Sequence, residues 1–165
     1  MTNVRNLLLA CIAALLSGCA ANPFNAYDIP PGATREAVIA RVGPPQRVVR
    51  LPGGERLQYS LQPAGHYAWI VDLDAAGKVV QAGQMLTEAN FNRIQPGWTR
   101  DDVERDFGPP AWTDRVGNWN GTVMTYRWRD VVNTDMFYFI YLDPGNVVRR
   151  AHPGIEFVNA PNDRN

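Results

Sequence analysis

The sequence predicts an α+β fold: two tandem copies of one unit, each with a short helix or helices packed on a three- to four-stranded antiparallel meander. Three observations predict it. One stretch of chain returns 65 residues later without gaps, from Ile29 to Ile94 onward. Each copy opens with a helix whose start and stop are both spelled out. Each then continues in short strand-like runs separated by turn residues.

Residues 1–18 read as an address that precedes the fold. One cation, Arg5, is followed by the apolar run Leu7 to Leu16, ten residues long. Ten residues make roughly 15 Å of helix, too short for a hydrocarbon core of about 30 Å. A signal-peptide core fits this length better. The run ends in Leu16-Ser17-Gly18-Cys19-Ala20, which resembles a bacterial lipobox. The resemblance implies cleavage before Cys19 and acylation of its thiol and new N-terminus. Several acyl chains anchor stably where one does not, at about 0.8 kcal/mol per buried methylene. Cys11 leaves with the signal and Cys19 carries lipid, so the folded part is expected to have no free thiol and no disulfide. Ala20, with no Asp after the Cys, is similar to the outer-membrane-directed pattern. Residues 19–28 are read as a tether.

The repeat begins at residue 29. Ile29-Pro30-Pro31-Gly32-Ala33-Thr34-Arg35 returns as Ile94-Gln95-Pro96-Gly97-Trp98-Thr99-Arg100, Val38 as Val103, and Gly43-Pro44-Pro45 as Gly108-Pro109-Pro110. Self-similarity of this kind marks a duplicated supersecondary unit. The first unit is placed at 29–83 and the second at 84–151.

Each helix is bounded by its own residues. Thr34 and Thr99 are N-caps, with a hydroxyl to accept an orphan backbone N–H. Asp102, three residues after Thr99, suits a capping box. Val38 and Val42, and likewise Val103 and Phe107, lie four apart on one face and form a buried stripe. Gly43 and Gly108 suit a left-handed position past the helix, and the Pro-Pro pair forbids continuation. The acidic run Asp101 to Asp106 reads as a solvated helix face.

Strand-like runs follow each Pro-Pro pair. In the first unit they are 47–50, 55–61, 67–73 and 78–82. In the second they are 111–116, 122–128, 136–142 and 147–149. Asp143-Pro144-Gly145-Asn146 is a strong turn signal. Tyr138, Ile140 and Leu142 alternate with Phe137, Phe139 and Tyr141, so one face can pack on helices and the other is left for a neighbouring unit or a partner. A unit of about 65 residues has a marginal core alone, which predicts that the two pack together. From His152 onward the chain is polar and aperiodic, and 152–165 reads as a disordered tail.

Composition limits the function classes. With 16 basic and 16 acidic side chains the formal net charge is zero, against a nucleic-acid binder or a polybasic membrane-surface protein. His66 and His152 are far apart and near Gly or Pro, and read as lone surface histidines in turns. Asp72 and Asp74 share a strand face, but Asp74 reads as a turn residue. Lys78 is the only lysine, and no Gly-rich phosphate loop accompanies it. No metal, no cofactor beyond the covalent lipid on Cys19, and no catalytic residue is expected. Aromatic residues crowd into the second unit. Tyr126 and Trp128 read as core. Trp119, in an Asn-rich turn, reads as an exposed contact. With Trp112, Arg127 and Arg129 it has the composition of a binding hot spot.

Gly-x-Thr-(x)3-Val-(x)4-Gly-x-Pro, carried by Gly32 through Pro45 and Gly97 through Pro110, followed by a turn, an aromatic strand and a hairpin, resembles the SmpA/OmlA, or BamE-like, outer-membrane lipoprotein family. The two copies cover most of residues 28–150, and the second is the closer match. The resemblance implies a non-enzymatic lipoprotein facing the periplasm, acting as a binding or scaffold module in outer-membrane protein assembly or envelope integrity. Its expected partner is an envelope protein, such as a component of the barrel-assembly machinery. It also marks the segment before the second motif as a contact surface, with Met85, Leu86, Asn90, Phe91 and Arg93 as candidates. The tandem arrangement departs from the family's single copy, since a fused pair can cover the face that a single copy offers. An alternative resemblance is to β-lactamase inhibitor proteins, also tandem helix-plus-sheet repeats. It implies an inhibitor whose two sheets share one concave face.

Overall fold

A computed structural model describes residues 28–156. The signal segment 1–18, Cys19, the tether up to residue 27 and residues 157–165 lie outside the described residues.

The chain runs α1 (Arg35–Val42), β1 (Arg47–Leu51), β2 (Gly54–Ser60), β3 (Ala68–Asp74), β4 (Val79–Gln84), α2 (Glu88–Phe91), α3 (Arg100–Phe107), β5 (Trp112–Asp114), β6 (Thr122–Arg129), β7 (Asp135–Leu142) and β8 (Val148–Ile155). Two four-stranded antiparallel sheets result, ordered β1-β2-β3-β4 and β5-β6-β7-β8. Strand takes 43% of the described residues and helix 16%. The expected α+β class is therefore corrected to a mainly-β fold. The cap signals mark real helices, but Gly43 and Gly108 end them after two turns, while the strands of the second sheet run to eight residues.

The helix ends form as the residues dictate. Thr34 Oγ1 accepts from the Ala37 N–H, and Thr99 and Asp102 form a reciprocal capping box. Gly43 and Gly108 have φ of 95° and 77°, but ψ near 180° rather than the left-handed helical value. The chain leaves each helix extended.

The two units repeat each other atom for atom at several points. Gly32 N–H donates to Val79 O, and Gly97 N–H to Val148 O. Tyr59 donates its hydroxyl proton to Gly43 O, and Tyr126 to Gly108 O. A Cβ on Gly54 would overlap the Leu73 carbonyl oxygen, and one on Gly121 the Leu142 carbonyl oxygen.

Each sheet alternates as its sequence does. In the first, Leu57, Tyr59, Trp69, Val71 and Leu73 join Val38 and Val42 of α1 in one core. In the second, Met124, Tyr126, Trp128, Tyr138, Ile140 and Leu142 join Val103 and Phe107 of α3. Phe91 of α2 completes this second core. It stacks on Phe107 at 5.1 Å and on Tyr138 at 4.1 Å, with Trp128 edge-on at 5.5 Å.

The units are layered. The face of the first sheet away from α1 receives α3. Ala68 and Ile70 of that face join the second core. Gln58 Nε2 donates to the carbonyls of Glu104 and Arg105, both at 2.9 Å, and Arg56 Nη1 donates to Arg105 O at 3.1 Å. Glu104 O also accepts from the Gly108 N–H, but Arg105 O has no intrahelical donor because residue 109 is Pro, and a cation there also complements the helix dipole. Arg56 forks onto Asp72 at 2.6 and 2.8 Å and reaches Asp106 at 3.4 Å. Arg47 pairs with Glu104 at 3.0 Å.

A second seam closes beside β6. The strand β5 is only three residues long, so on that side β6 has no strand neighbour at Arg127. The Gln62 side-chain amide serves instead: it accepts from Arg127 N–H at 3.0 Å and donates to Arg127 O at 2.8 Å. Arg127 also donates to Pro63 O, and His66 lies 2.9 Å from Glu156.

Two further expectations are corrected here. Residues 152–155 are not irregular: β8 runs to Ile155, paired with β7 from Leu142 to Met136. Pro153 is tolerated because β8 is an edge strand. His66 is not a surface turn residue but buried, and His152 lies in a strand.

Candidate functional site

With α3 between the sheets, three of the four sheet faces are covered. The fourth, the outer face of the second sheet, is not. Register defines its rows. Trp112, Thr125, Phe139 and His152 lie side by side across β5 to β8, followed by Asp114, Val123, Tyr141 and Arg150, and by Arg127, Phe137 and Gly154.

The rings on this face form an unbroken chain. Trp119 meets Tyr141 edge-on at 5.3 Å, Tyr141 stacks on His152 at 5.4 Å, and His152 meets Phe139 at 5.5 Å. Phe139 meets Phe137 at 5.7 Å, and Phe137 meets Trp112 edge-on at 5.8 Å. The Arg150 guanidinium sits 4.0 Å above the Tyr141 ring and 5.3 Å from Trp119. Among the described residues no carboxylate pairs with Arg150. The rings shield Val123 and Thr125 but remain themselves half-exposed, and Trp112 is 42% exposed. An open groove of about 280 Å³ runs between Trp119, Tyr141, Arg150 and the 116–118 loop.

The site is positioned by local features. The turn around Asn118-Trp119-Asn120-Gly121 folds over the sheet because the Trp119 indole N–H donates to Leu142 O at 2.7 Å. At the opposite end the Gln62–His66 loop closes the face. There Glu156 takes the Arg127 guanidinium at 2.6 Å and the His66 ring at 2.9 Å. Burial alone would raise the Glu156 carboxyl, yet its hydrogen bonds from Arg127 and His66 hold it below the usual carboxylate range.

The structure separates the sequence candidates. Trp112 and Trp119 lie on the open face. Trp119 is half-buried by its hydrogen bond and its rings rather than freely exposed. Arg127 borders the face but is committed to Glu156 and Pro63 O. Arg129 lies beyond it and pairs with Asp135 at 2.6 Å. The candidates before the second motif are corrected. Met85, Leu86 and Phe91 are in the core, Leu86 and Phe91 with no exposed surface. Apolar side chains this short of water stabilise the fold and cannot meet a partner. Asn90 is used inside the molecule, donating to Gln84 O and Met85 O. Arg93 is exposed and reaches Asp106 at 3.4 Å. Asp106, expected on a solvated face, is buried among Arg56, Arg93 and Arg105.

Sequence reasoning missed Phe137, Phe139, Tyr141, Arg150 and His152 as one surface. The alternation in β7 carried the first three. Arg150 and His152 were hidden because the last strand was expected to end at 149 and the tail to begin at 152, whereas the strand runs on to Ile155.

Chemically this face offers aromatic surface, one guanidinium and a few hydrogen-bonding groups for contact with a ligand. Among the described residues no set of three or more His, Cys, Asp or Glu side chains is placed to hold a metal ion. Comparison with protein-family models and with curated proteins finds no match.

Proposed function

We infer that the protein is a lipid-anchored, non-enzymatic binding module of the outer membrane, held at its periplasmic face by acylated Cys19, and that it serves outer-membrane protein assembly or envelope integrity. The observation that carries the binding role is the uncovered aromatic face of the second sheet, because an exposed apolar patch of this kind is a cost unless something covers it. The lipobox-like signal supports the anchor. The repeated Gly-x-Thr to Gly-x-Pro motif supports kinship with SmpA/OmlA lipoproteins. The inhibitor-like alternative requires both sheets to share one concave face. Here α3 fills one face of the first sheet, which favours the first reading over that alternative.

Two measurements test the reading. Cys19→Ala is expected to move the protein out of the membrane fraction. A crosslinked pull-down of the full-length lipoprotein from native envelopes, read by mass spectrometry, is expected to recover an envelope assembly component. Retention of the Cys19→Ala variant in the membrane, together with unchanged envelope permeability on deletion, would sink it.

A further inference from the structure

We propose that the outer face of the second sheet is a docking site for an amphipathic helix of a protein partner, one that lays an apolar stripe on the ring chain and sets a carboxylate against Arg150. The proposal rests on this face being the protein's binding surface, and it adds what binds there.

The molecule itself shows what this face of the unit holds. In the first unit the equivalent face is filled by a helix, α3. The matching glycines Gly54 and Gly121, and the matching pairings Leu73↔Val79 and Leu142↔Val148, align the two faces position by position. Trp112 then stands where the first unit has Arg47, Val123 where it has Arg56, Thr125 where it has Gln58, and Tyr141 where it has Asp72. Arg150 stands where it has Gln81. Of the polar groups at the α3 interface, Arg47 and Asp72 thus give way to the rings of Trp112 and Tyr141, Arg56 and Gln58 to the uncharged Val123 and Thr125, and one cation, Arg150, is added. The dimensions also agree: three strands span about 10–15 Å, the length of a helix of two to three turns.

Charge argues against a second copy of this chain as the occupant. In a head-to-tail stack, α1 of the next molecule would take the role of α3. Ile39 and Arg41 would replace Glu104 and Asp106, and Arg41 would approach Arg150. Ring geometry argues against a glycan. Flat stacking needs free ring faces, but Arg150 covers Tyr141, Tyr141 stacks on His152, and Trp112 and Trp119 meet their neighbours at 80°. Asp114 is the one carboxylate in these rows, at the β5 edge, so the partner's carboxylate belongs on the β8 side.

The probe is a lactam-stapled helical peptide with the sequence of residues 98–109, which sets Val103 and Phe107 beside Glu104 and Asp106. It is titrated into the full-length lipoprotein in detergent. Saturable binding is expected, weakened about tenfold by Arg150→Glu and by Tyr141→Ser, the size of one lost hot-spot contact. A peptide carrying Glu104→Lys and Asp106→Lys is expected to prefer the Arg150→Glu protein. Arg150→Gln, a milder change, guards against a folding defect and should fall between. No binding, or binding indifferent to Arg150, overturns the proposal. So does competition by a soluble peptidoglycan fragment, or self-association abolished by Arg150→Glu. A photo-crosslinker at position 112 in native envelopes separates the two readings. A partner captured through a strand or loop overturns the helix and leaves the binding role standing; no captured protein overturns both.

Discussion

Gly54 and Gly121 hold the same tight approach in both units, where strands β2 and β6 start against the carbonyls of Leu73 and Leu142. Their φ values of 156° and 149° disfavour a side chain, and a Cβ has no room. Gly121→Ala is expected to cost about 2–4 kcal/mol in urea unfolding. Gly117→Ala has open space and only the strain of positive φ, and should cost about 1 kcal/mol. The capping box makes a second residue-scale prediction. The Thr99 backbone N–H, then its hydroxyl, then Arg105 hold the Asp102 carboxyl down to about 2 from an ordinary 3.8. A lowered folded value means the contribution is complete above the unfolded pKa and is lost as pH falls through the folded one. Acid titration of stability between pH 4 and 2 is therefore expected to lose part of its slope in Asp102→Asn. At this scale Thr34, Thr99, Gly43 and Gly108 were legible, because each acts on backbone only a few residues away. Arg56, Asp72 and Asp106 were not. Their burial depends on a helix and a sheet that are about 50 residues apart in the chain.

Most strand boundaries were legible to within a residue or two from alternation and turn residues, and α1 and α3 from caps and stops. The fold class was not, because start and stop signals reveal that a helix exists but not how little of the chain it occupies. The strand β8 was expected only over 147–149, because the chain is polar and aperiodic from His152, and only its edge position in the sheet makes Pro153 acceptable. Phe91 of the short helix α2 is the residue on which the rings of the second core converge. Phe91→Ala is expected to cost about 3–5 kcal/mol, since it leaves a cavity between Phe107, Tyr138 and Trp128. The seam between α3 and the first sheet makes a further prediction. Arg56→Ala leaves the buried Asp72 carboxylate unpaired and Asp106 with only Arg93 and Arg105, and is expected to cost about 3–5 kcal/mol. Adding Asp72→Asn and Asp106→Asn to that variant should recover much of the loss, measured by denaturant midpoint at constant slope.

The whole molecule is a stack: α1, first sheet, α3 with α2, second sheet, then the aromatic face. Each of the first four layers buries polar or apolar groups of the next, so neither unit carries a complete interface alone. Variants keeping only Trp69 or only Trp128 as the buried fluorophore are expected to report one coincident unfolding transition. Two separated transitions would show that the seam is weak. Duplication was visible in the sequence, but the layering was not, because it depends on which face of the first sheet the second unit's helix chooses. That choice leaves one face open and defines the candidate site. The most direct test places a photo-crosslinking residue at position 112 or 152 on that face, and at Ala40 on exposed α1 as control, in the full-length lipoprotein in native envelopes. The account predicts a discrete protein adduct from 112 and 152 and none from 40. The same adducts from all three positions, or adducts from 40 alone, would contradict it.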